Sequence, residues 1–387
     1  MSQLLSREIR GLKAAAAGSV ICAVTATLLL IPLLQSSRIP ESPVFSDALD
    51  IPLPVVTGQA CRNCHADVHD AHAAAPHGRT LMRMKTPDDR QILSGRQWRR
   101  PDTGVEYEYE VSGQQLLLRS SATIGSRPVT WLVGSGRHAR TPLLTWIDAD
   151  GRTAAIEHSV SLYPDGDLGT TLEMEVVKES LGLPALGNYR SCSETANCFG
   201  CHSTIVPVHD GQVLEDQITP GVGCIRCHQD AEKHALAMER GEEFIGERLT
   251  LLSPREAVDR CGECHRRADE LGGQLHPENP TLVRFASVGL VQSLCFRKQP
   301  HGADTPGNAD DAHAAGRLDC TTCHSPHAET DARWQTHTAV CLRCHHMASE
   351  KNTFDCPQAS PSDNCLECHM KKVSFGERLK FTDHWIR

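Results

Sequence analysis

The sequence Cys-x-x-Cys-His occurs seven times in this 387-residue chain and restricts its fold and chemistry more than any other feature. The repeats use 14 of the 18 cysteines, whereas chance predicts only ~0.05 copies. Two thiols separated by two residues can bond the two vinyl groups of one haem, which brings the next residue beneath the iron. The attachment residues predicted in this way are Cys61, Cys64, Cys198, Cys201, Cys224, Cys227, Cys261, Cys264, Cys320, Cys323, Cys341, Cys344, Cys365 and Cys368.

Zinc sites and a disulfide framework are the alternatives to covalent haem. Zinc takes four ligands, usually from two facing Cys-x-x-Cys units, and seven units cannot pair evenly. Neither zinc nor disulfides require a histidine directly after every second cysteine. The repeats therefore predict seven covalently attached haem c groups. The predicted proximal ligands of the irons are His65, His202, His228, His265, His324, His345 and His369.

The chain has 21 histidines, so ample candidates remain for the distal side of each haem. Because an iron with a vacant position is always close by, we predict that some of them are distal ligands. The favoured candidates are His77, His234, His301 and His327, and the weaker ones are His138, His209 and His337. His346 is left out because it directly follows a proximal histidine.

The axial ligands bear on function. An iron with two axial histidines has no vacant position and mainly passes electrons, which predicts a largely bis-His electron relay. The alternative is an oxidoreductase that acts on a small nitrogen or sulfur compound at one open haem. No Cys-x-x-Cys-Lys sequence, which marks the catalytic haem of several multihaem reductases, is present. Electron transfer is therefore favoured, without excluding catalysis.

Three cysteines of the part predicted to be exported lie outside the motifs: Cys192, Cys295 and Cys356. An odd number leaves at least one thiol free unless it pairs between chains. We predict a disulfide between Cys295 and Cys356, with unpaired buried thiols as the alternative.

The N-terminal residues predict a membrane helix. Arg7, Arg10 and Lys13 precede an uncharged stretch, residues 14–34, which as a helix would span about 31 Å. The basic flank keeps that end in the cytoplasm and predicts export of the remainder. The protein is thus predicted on the periplasmic side of the bacterial inner membrane, anchored by this helix. A cleaved signal, which would leave a soluble periplasmic protein, is the alternative.

Composition divides the chain into six parts. The middle lacks cysteine from residue 66 to 191, and its "VEYEYEV" alternates apolar and charged residues as a half-buried strand does. Helices are predicted over 229–245 and 253–270, the second with a Ser-Pro start. The predicted parts are 1–34, anchor or signal; 35–60, linker; 61–90, first haem segment; 91–185, β-rich insert; 186–372, six-haem domain; and 373–387, C-terminal tail.

The density of motifs predicts the fold class. Six motifs lie within residues 198–369, which leaves no room for an apolar core between them. We therefore predict a mostly α and irregular multihaem cytochrome fold, with short helices and loops around stacked haems. A small antiparallel β unit and an N-terminal transmembrane helix complete this prediction.

Charge indicates the kind of partner. The formal net charge is −9 without a basic run, which argues against nucleic acid. Two propionates on each haem would take the charge to about −16 when oxidised and about −23 when reduced. We expect redox partner proteins with basic docking faces.

Several segments resemble a known family. "CRNCHADVHDAHAAAPHGRT", "GVGCIRCHQDAEKH" and "GRLDCTTCHSPH" resemble exported multihaem cytochromes of the cytochrome c-554/c-prime-related type. The resemblance covers most of residues 58–372 and implies that His234 and His327 are axial ligands. It also implies a quinol-linked or soluble electron donor and a periplasmic acceptor, although some relatives are oxidoreductases of small nitrogen compounds. A third hypothesis is a binding protein whose β-rich insert recognises a partner or surface, while the haems only conduct electrons.

Overall fold

The structure is a computed structural model that describes residues 58–174, 181–244, 246, 248–299, 302–306, 316–345 and 363–387. The predicted anchor at residues 1–34 lies outside the described residues, as do His301 and Cys356. The predicted disulfide of Cys295 with Cys356 therefore stays a prediction. Within the part of the chain that the structure describes, no helix is long and apolar enough to cross a membrane.

Short antiparallel strands make up much of the described chain. Five of them form one sheet in the order β1-β6-β7-β8-β11, and four form a second in the order β2-β3-β4-β5. Two-stranded ribbons pair β9 with β10, β12 with β15, β13 with β14, and β16 with β17. The strands are β1 (Leu81–Arg83), β2 (Gln97–Arg99), β3 (Glu106–Ser112), β4 (Gln115–Ser120), β5 (Ser126–Val129), β6 (Trp131–Val133), β7 (Thr141–Ile147), β8 (Thr153–His158), β9 (Val160–Leu162), β10 (Leu168–Thr170), β11 (Gly187–Arg190), β12 (Ser203–Ile205), β13 (Val208–His209), β14 (Gln212–Val213), β15 (Thr219–Pro220), β16 (Lys372–Phe375) and β17 (Leu379–Thr382).

The two larger sheets pack face to face. Tyr107 and Tyr109 of β3 are buried, while the glutamates beside them are exposed, which confirms the predicted alternation in this strand. Leu144 and Ile156 of the five-stranded sheet belong to the same buried cluster as these tyrosines. Because side chains alternate across a strand, their neighbours Leu143 and Ala155 lie on the opposite face. The five-stranded sheet is thus covered on both faces.

The helices are short, and most carry or flank a Cys-x-x-Cys-His motif. Helix α4 packs on the outer face of the five-stranded sheet, where Phe199 and Trp131 meet with ring centres 5.3 Å apart. The helices are α1 (Gly58–Arg62), α2 (Ala66–Ala74), α3 (Pro87–Gln91), α4 (Cys192–His202), α5 (Ala231–Glu239), α6 (Pro254–His265), α7 (Ala286–Gln292), α8 (Leu294–Arg297), α9 (Cys320–Cys323), α10 (Trp334–His345) and α11 (Cys365–His369).

Helix α6 begins where the sequence predicts it. Ser253 caps the helix by accepting from the main-chain N–H of Glu256, whose carboxylate accepts from the N–H of Ser253. The helix ends at His265, where Arg266 takes a positive φ, rather than at residue 270. The predicted helix over 229–245 is likewise present but shorter, as α5.

The predicted mostly α and irregular fold with a small β unit is wrong. The described chain mixes short helices with several antiparallel sheets. Strands occur not only between the first and second motifs, where the β unit was predicted, but also between the second and third motifs and after the seventh. Many of these strands have only two to four residues, too few to show the two-residue alternation that identifies a strand. The density of motifs also suggested that haems alone form the interior of residues 198–369, whereas Val258, Leu290 and Phe296 form a buried apolar cluster there.

His158 lies in that core and should make stability depend on pH. Its ring is fully buried, and Nδ1 donates to the main-chain oxygen of Leu186 at 2.5 Å. Burial lowers the pKa of His158 to about 4. Below pH 6.5 the unfolded chain therefore binds a proton that the folded chain refuses, so stability falls as pH falls from 6.5 towards 4. The loss should reach about 3 kcal/mol.

Denaturation midpoints between pH 4 and 8 test this expectation. The variant His158→Gln, which cannot titrate, should show a smaller decline below pH 6.5 than the unchanged protein. His209→Gln, at a largely exposed side chain, is the matched control for the loss of one histidine and should change the denaturation midpoint little, because it removes little packing. An unchanged profile in His158→Gln would contradict the expectation.

Candidate haem centres

Each motif lies on a single turn of helix that directs its three functional side chains. The helices α4, α6, α10 and α11 end on the histidine of a motif. In other motifs the main-chain N–H of His65, His228 and His324 donates to the first cysteine's oxygen at 2.9, 2.9 and 3.0 Å. Residues three and four apart are neighbours on a helical turn. The two thiols and the imidazole are therefore close enough to hold one group.

Three of the predicted proximal histidines face three of the predicted distal ones. His65 faces His234 with ring centres 6.3 Å apart. His265 faces His77 at 6.2 Å. His228 faces His327 at 6.0 Å, with the rings only 12° from parallel. Each pair joins residues distant in sequence.

These separations fit an iron between two imidazoles. Metal–imidazole bonds of about 2.0–2.1 Å, with roughly 1.1 Å from each nitrogen to its ring centre, require ring centres about 6.3 Å apart. Among the described residues, no group of three or more His, Cys, Asp and Glu side chains is arranged to hold a metal ion by itself. These three pairs of histidines stand opposed, as a planar macrocycle between them would require.

The histidine of the fifth motif has two neighbours. His324 lies 5.9 Å from His337 and 6.1 Å from His384 between ring centres. His337 is one of the weaker sequence candidates. Sequence reasoning did not single out His384, because a histidine 15 residues beyond the last motif belongs to no repeated pattern.

Main-chain oxygens orient several of these rings. A carbonyl only accepts hydrogen bonds, so a ring nitrogen beside it carries the proton and the other nitrogen is free to bind metal. Nδ1 of His77 donates to Pro326 at 3.4 Å, and Nδ1 of His234 donates to Phe244 at 3.3 Å. In both rings Nε2 is left as the metal-binding atom.

Burial keeps several rings unprotonated. Burial lowers the pKa of His265 and of His202 below the usual value for histidine. The pKa of His324 falls to about 4, chiefly through burial, with smaller effects from His384 and His337. A neutral imidazole is the form that binds a metal. These rings therefore offer a ligand nitrogen at neutral pH.

Apolar side chains beside the first motif also fit a bound macrocycle. Val68 follows His65 by three residues at the start of α2, and Met238 follows His234 by four residues on α5. Their exposed fractions are 45% and 43%. Such side chains normally seek burial, and a macrocycle between the two helices would cover them.

Attachment thiols of different motifs meet. The thiol of Cys61 lies close enough to that of Cys224 to raise its pKa, which links the first and third motifs, and Cys201 and Cys264 interact in the same way between the second and fourth. The interaction with Cys201 lowers the pKa of Cys264 to about 6. Cysteines separated by up to 163 positions in sequence thus lie close together in the structure.

The contacts continue through the later motifs. Cys261 interacts with Cys320, which joins the fourth motif to the fifth. Cys227 lies close enough to Cys261 for an electrostatic interaction that raises the pKa of Cys227 after the larger effect of burial. Cys341 of the sixth motif interacts in the same way with thiols of its neighbours, Cys365 and Cys323.

The second motif has a different surrounding. Nδ1 of His202 donates to the main-chain oxygen of Thr80 at 3.2 Å, which leaves Nε2 for a metal. Among the ring contacts of the described residues, none places another histidine opposite His202. Glu157 is the charged group that acts on this ring.

Two weaker candidates pack against other side chains. His138 packs on Phe381 with ring centres 4.9 Å apart. His209 is largely exposed beside Asp210, 3.2 Å away. In the part of the chain that the structure describes, neither has a ring contact with a proximal histidine. At the seventh motif, Nδ1 of His369 donates to the main-chain oxygen of Arg387.

Comparisons with known proteins bear on the nature of these centres. Residues 171–229 match the family described as cytochrome c554 and c-prime. A crystal structure of the outer cell wall cytochrome OcwA aligns with 13% identity and a TM-score of 0.48, covering 85% of this chain and 78% of that one. No curated protein matches significantly. The family match spans the second and third motifs, so this part of the chain is similar to a family of c-type cytochromes, in agreement with the haem attachment that the repeated motif predicts.

Proposed function

We propose that the protein carries seven haem c groups and relays electrons through them outside the cytoplasm. The observation that carries this proposal is the series of interactions between attachment thiols of different motifs. Each thiol would be bonded to the edge of its own haem, so thiols that interact would bring the edges of neighbouring haems close together. The contacts support the order first, third, fourth, fifth, sixth and seventh motif, with the second branching from the fourth.

The side chains would hold each haem in a defined position and coordination. When bound, haem iron supplies a centre that changes between ferric and ferrous states. Opposed histidines such as His228 and His327 would occupy both axial positions and so exclude other ligands. Main-chain oxygens that hold Nδ1 of the rings would keep Nε2 directed at the metal. Such fixed coordination suits a relay, because little has to move when the charge changes.

Compartment and partners follow from the cofactor. Haem is joined to Cys-x-x-Cys-His thiols outside the cytoplasm, which supports an exported protein. The formal charge of −9 would become about −16 with seven oxidised haems. This charge supports redox partners with basic docking faces, a quinol-linked donor being one candidate, and contacts that weaken with salt.

Haem content and spin state test the relay. The mature protein should contain seven haems by mass and by the pyridine haemochrome assay, and electron paramagnetic resonance should show mainly low-spin ferric iron. Fewer than seven haems would contradict the proposed number. A predominantly high-spin spectrum would contradict the largely bis-His relay.

An oxidoreductase of a small nitrogen or sulfur compound is the second candidate function. The observation that favours it is His202, which offers Nε2 to an iron while no described histidine ring lies opposite it. A haem at the second motif would then keep one axial position for a substrate. In the proposed order the second motif is linked only to the fourth, so a haem there could bind a substrate without interrupting the relay.

The same spectra distinguish the two candidates. The oxidoreductase predicts one equivalent of high-spin iron that disappears in Cys198→Ala/Cys201→Ala, together with carbon monoxide binding to the reduced protein. A wholly low-spin spectrum with no carbon monoxide binding would exclude it and leave the relay alone.

A further inference from the structure

The centre at the fifth motif has two histidines at ligand distance from His324, and their hydrogen bonds distinguish them. Nε2 of His337 donates to the main-chain oxygen of Asp331 at 2.8 Å. That nitrogen carries a proton and points at a carbonyl, so it is not available to an iron. The remaining nitrogen, Nδ1, is adjacent to the ring carbon that bears the side chain, which crowds the approach of a macrocycle.

His384 has the opposite arrangement. Its Nδ1 donates to the main-chain oxygen of Thr382 at 2.9 Å, and Nε2 is free. The rings of His77, His202 and His234 make the same kind of bond, each through Nδ1. His337 is the exception among these rings.

We propose that His384 is the distal axial ligand of the haem at the fifth motif, and that residues 383–387, the C-terminal clamp, hold it there. The inference rests on the proposed function, because it requires a haem at that motif. His337 then lies beside the centre as a packing and hydrogen-bonding residue.

The C-terminal clamp is anchored on both sides of His384. Trp385 packs with Leu282 and Val288, and Ile386 packs with Val258 and Leu290. The main-chain N–H of Asp383 donates to the oxygen of Lys371 at 2.9 Å, directly after the β16–β17 ribbon. A ligand on such a segment has little freedom to leave the iron.

The same segment contacts a second centre. The main-chain oxygen of Arg387 accepts from Nδ1 of His369, the proximal histidine of the seventh motif. The guanidinium of Arg387 donates to the oxygen of Pro277 at 3.3 Å and pairs with Asp383 at 3.4 Å. The clamp would thus close one haem and orient the ligand of another.

Gly289 on α7 allows the close approach of the clamp. A Cβ at this position would lie 2.7 Å from the main-chain nitrogen of Trp385 and 2.8 Å from the carbonyl carbon of His384. Both atoms belong to the main chain, so Gly289→Ala would displace the clamp rather than a flexible side chain. Gly273→Ala is the matched control, because a Cβ there meets no atom within 4 Å.

Spin state and ligand binding test the assignment. His384→Ala should convert one equivalent of low-spin iron to high-spin iron, and the reduced protein should bind one more equivalent of carbon monoxide. His337→Ala should leave both measurements unchanged. Gly289→Ala should produce part of the His384→Ala signal, and Gly273→Ala none of it.

Two further measurements separate a ligand from a structural residue. Added imidazole should restore the low-spin spectrum of His384→Ala by occupying the open axial position. If the variant were high-spin because of general misfolding, imidazole would not restore the spectrum. His384→Met should stay low-spin but raise the reduction potential of one haem, as methionine ligation does. Haem content measured in every variant shows whether the fifth motif is loaded.

The outcomes are distinct. High-spin iron in His337→Ala, with none in His384→Ala, would overturn the assignment in favour of His337. A low-spin spectrum in both variants would overturn it as well. Absence of haem at the fifth motif in the unchanged protein would instead contradict the proposed function.

Discussion

Removal of the fourth haem should divide the relay, whereas removal of the second should leave it continuous. The thiols of the fourth motif interact with those of the second, third and fifth, so this motif is the junction of the proposed order. Cys261→Ala/Cys264→Ala should lose one haem and isolate the first and third centres from the second, fifth, sixth and seventh. Cys198→Ala/Cys201→Ala is the matched control, because it also loses one haem but only from the branch.

Photoreduction from one end makes the difference measurable. A photosensitiser attached by azide–alkyne chemistry in place of Lys233, an exposed residue beside His234, injects electrons next to the first centre. In the junction variant the fast phase of haem reduction should cover about two of the six remaining haems, since coupling through thiol-bonded haem edges is interrupted. In the branch variant it should cover all six. Equal fast phases in the two variants would contradict the proposed order.

The chemistry of the centres could be predicted from sequence because it depends on local spacing. The seven motifs determine which thiols and histidines can hold a haem. Zinc is disfavoured because seven Cys-x-x-Cys units cannot pair evenly into four-ligand sites. His77, His234 and His327 could be proposed because an iron with a vacant position lies close to each, and the structure brings each beside a proximal histidine.

The order of the centres could not be predicted, because it depends on contacts between distant residues. Nothing in the sequence places Cys201 against Cys264, or Cys61 against Cys224. His384 was missed for the same reason. Its role depends on Gly289 and on a short ribbon whose strands have four residues each.

The β structure was underestimated for a different reason. β7 reads as a nearly continuous apolar run because its two faces contact different partners, the four-stranded sheet and α4. A strand buried on both faces lacks the alternation of β3, so its sequence does not show how large the sheet is. Only the packing of α4 on the outer face accounts for the pattern.

That packing should be the most sensitive point of the fold. Phe199 is fully buried between α4 and the five-stranded sheet, edge to face with Trp131. Phe199→Ala should lower the free energy of unfolding by about 3–5 kcal/mol, since it opens a cavity and removes the aromatic contact. Because Cys198, Cys201 and His202 lie on the same helix, the signal of the second haem should change too.

Denaturation followed by far-ultraviolet circular dichroism measures the first effect, and electron paramagnetic resonance the second. Ile124→Ala removes an exposed apolar side chain and should change stability by less than about 0.5 kcal/mol. A Phe199→Ala protein as stable as Ile124→Ala would contradict the packing of α4 on the sheet. If Phe199→Ala loses stability but its haem spectra are unchanged, the sheet supports the fold without positioning the second centre. The attached haem would then be what holds α4 in place.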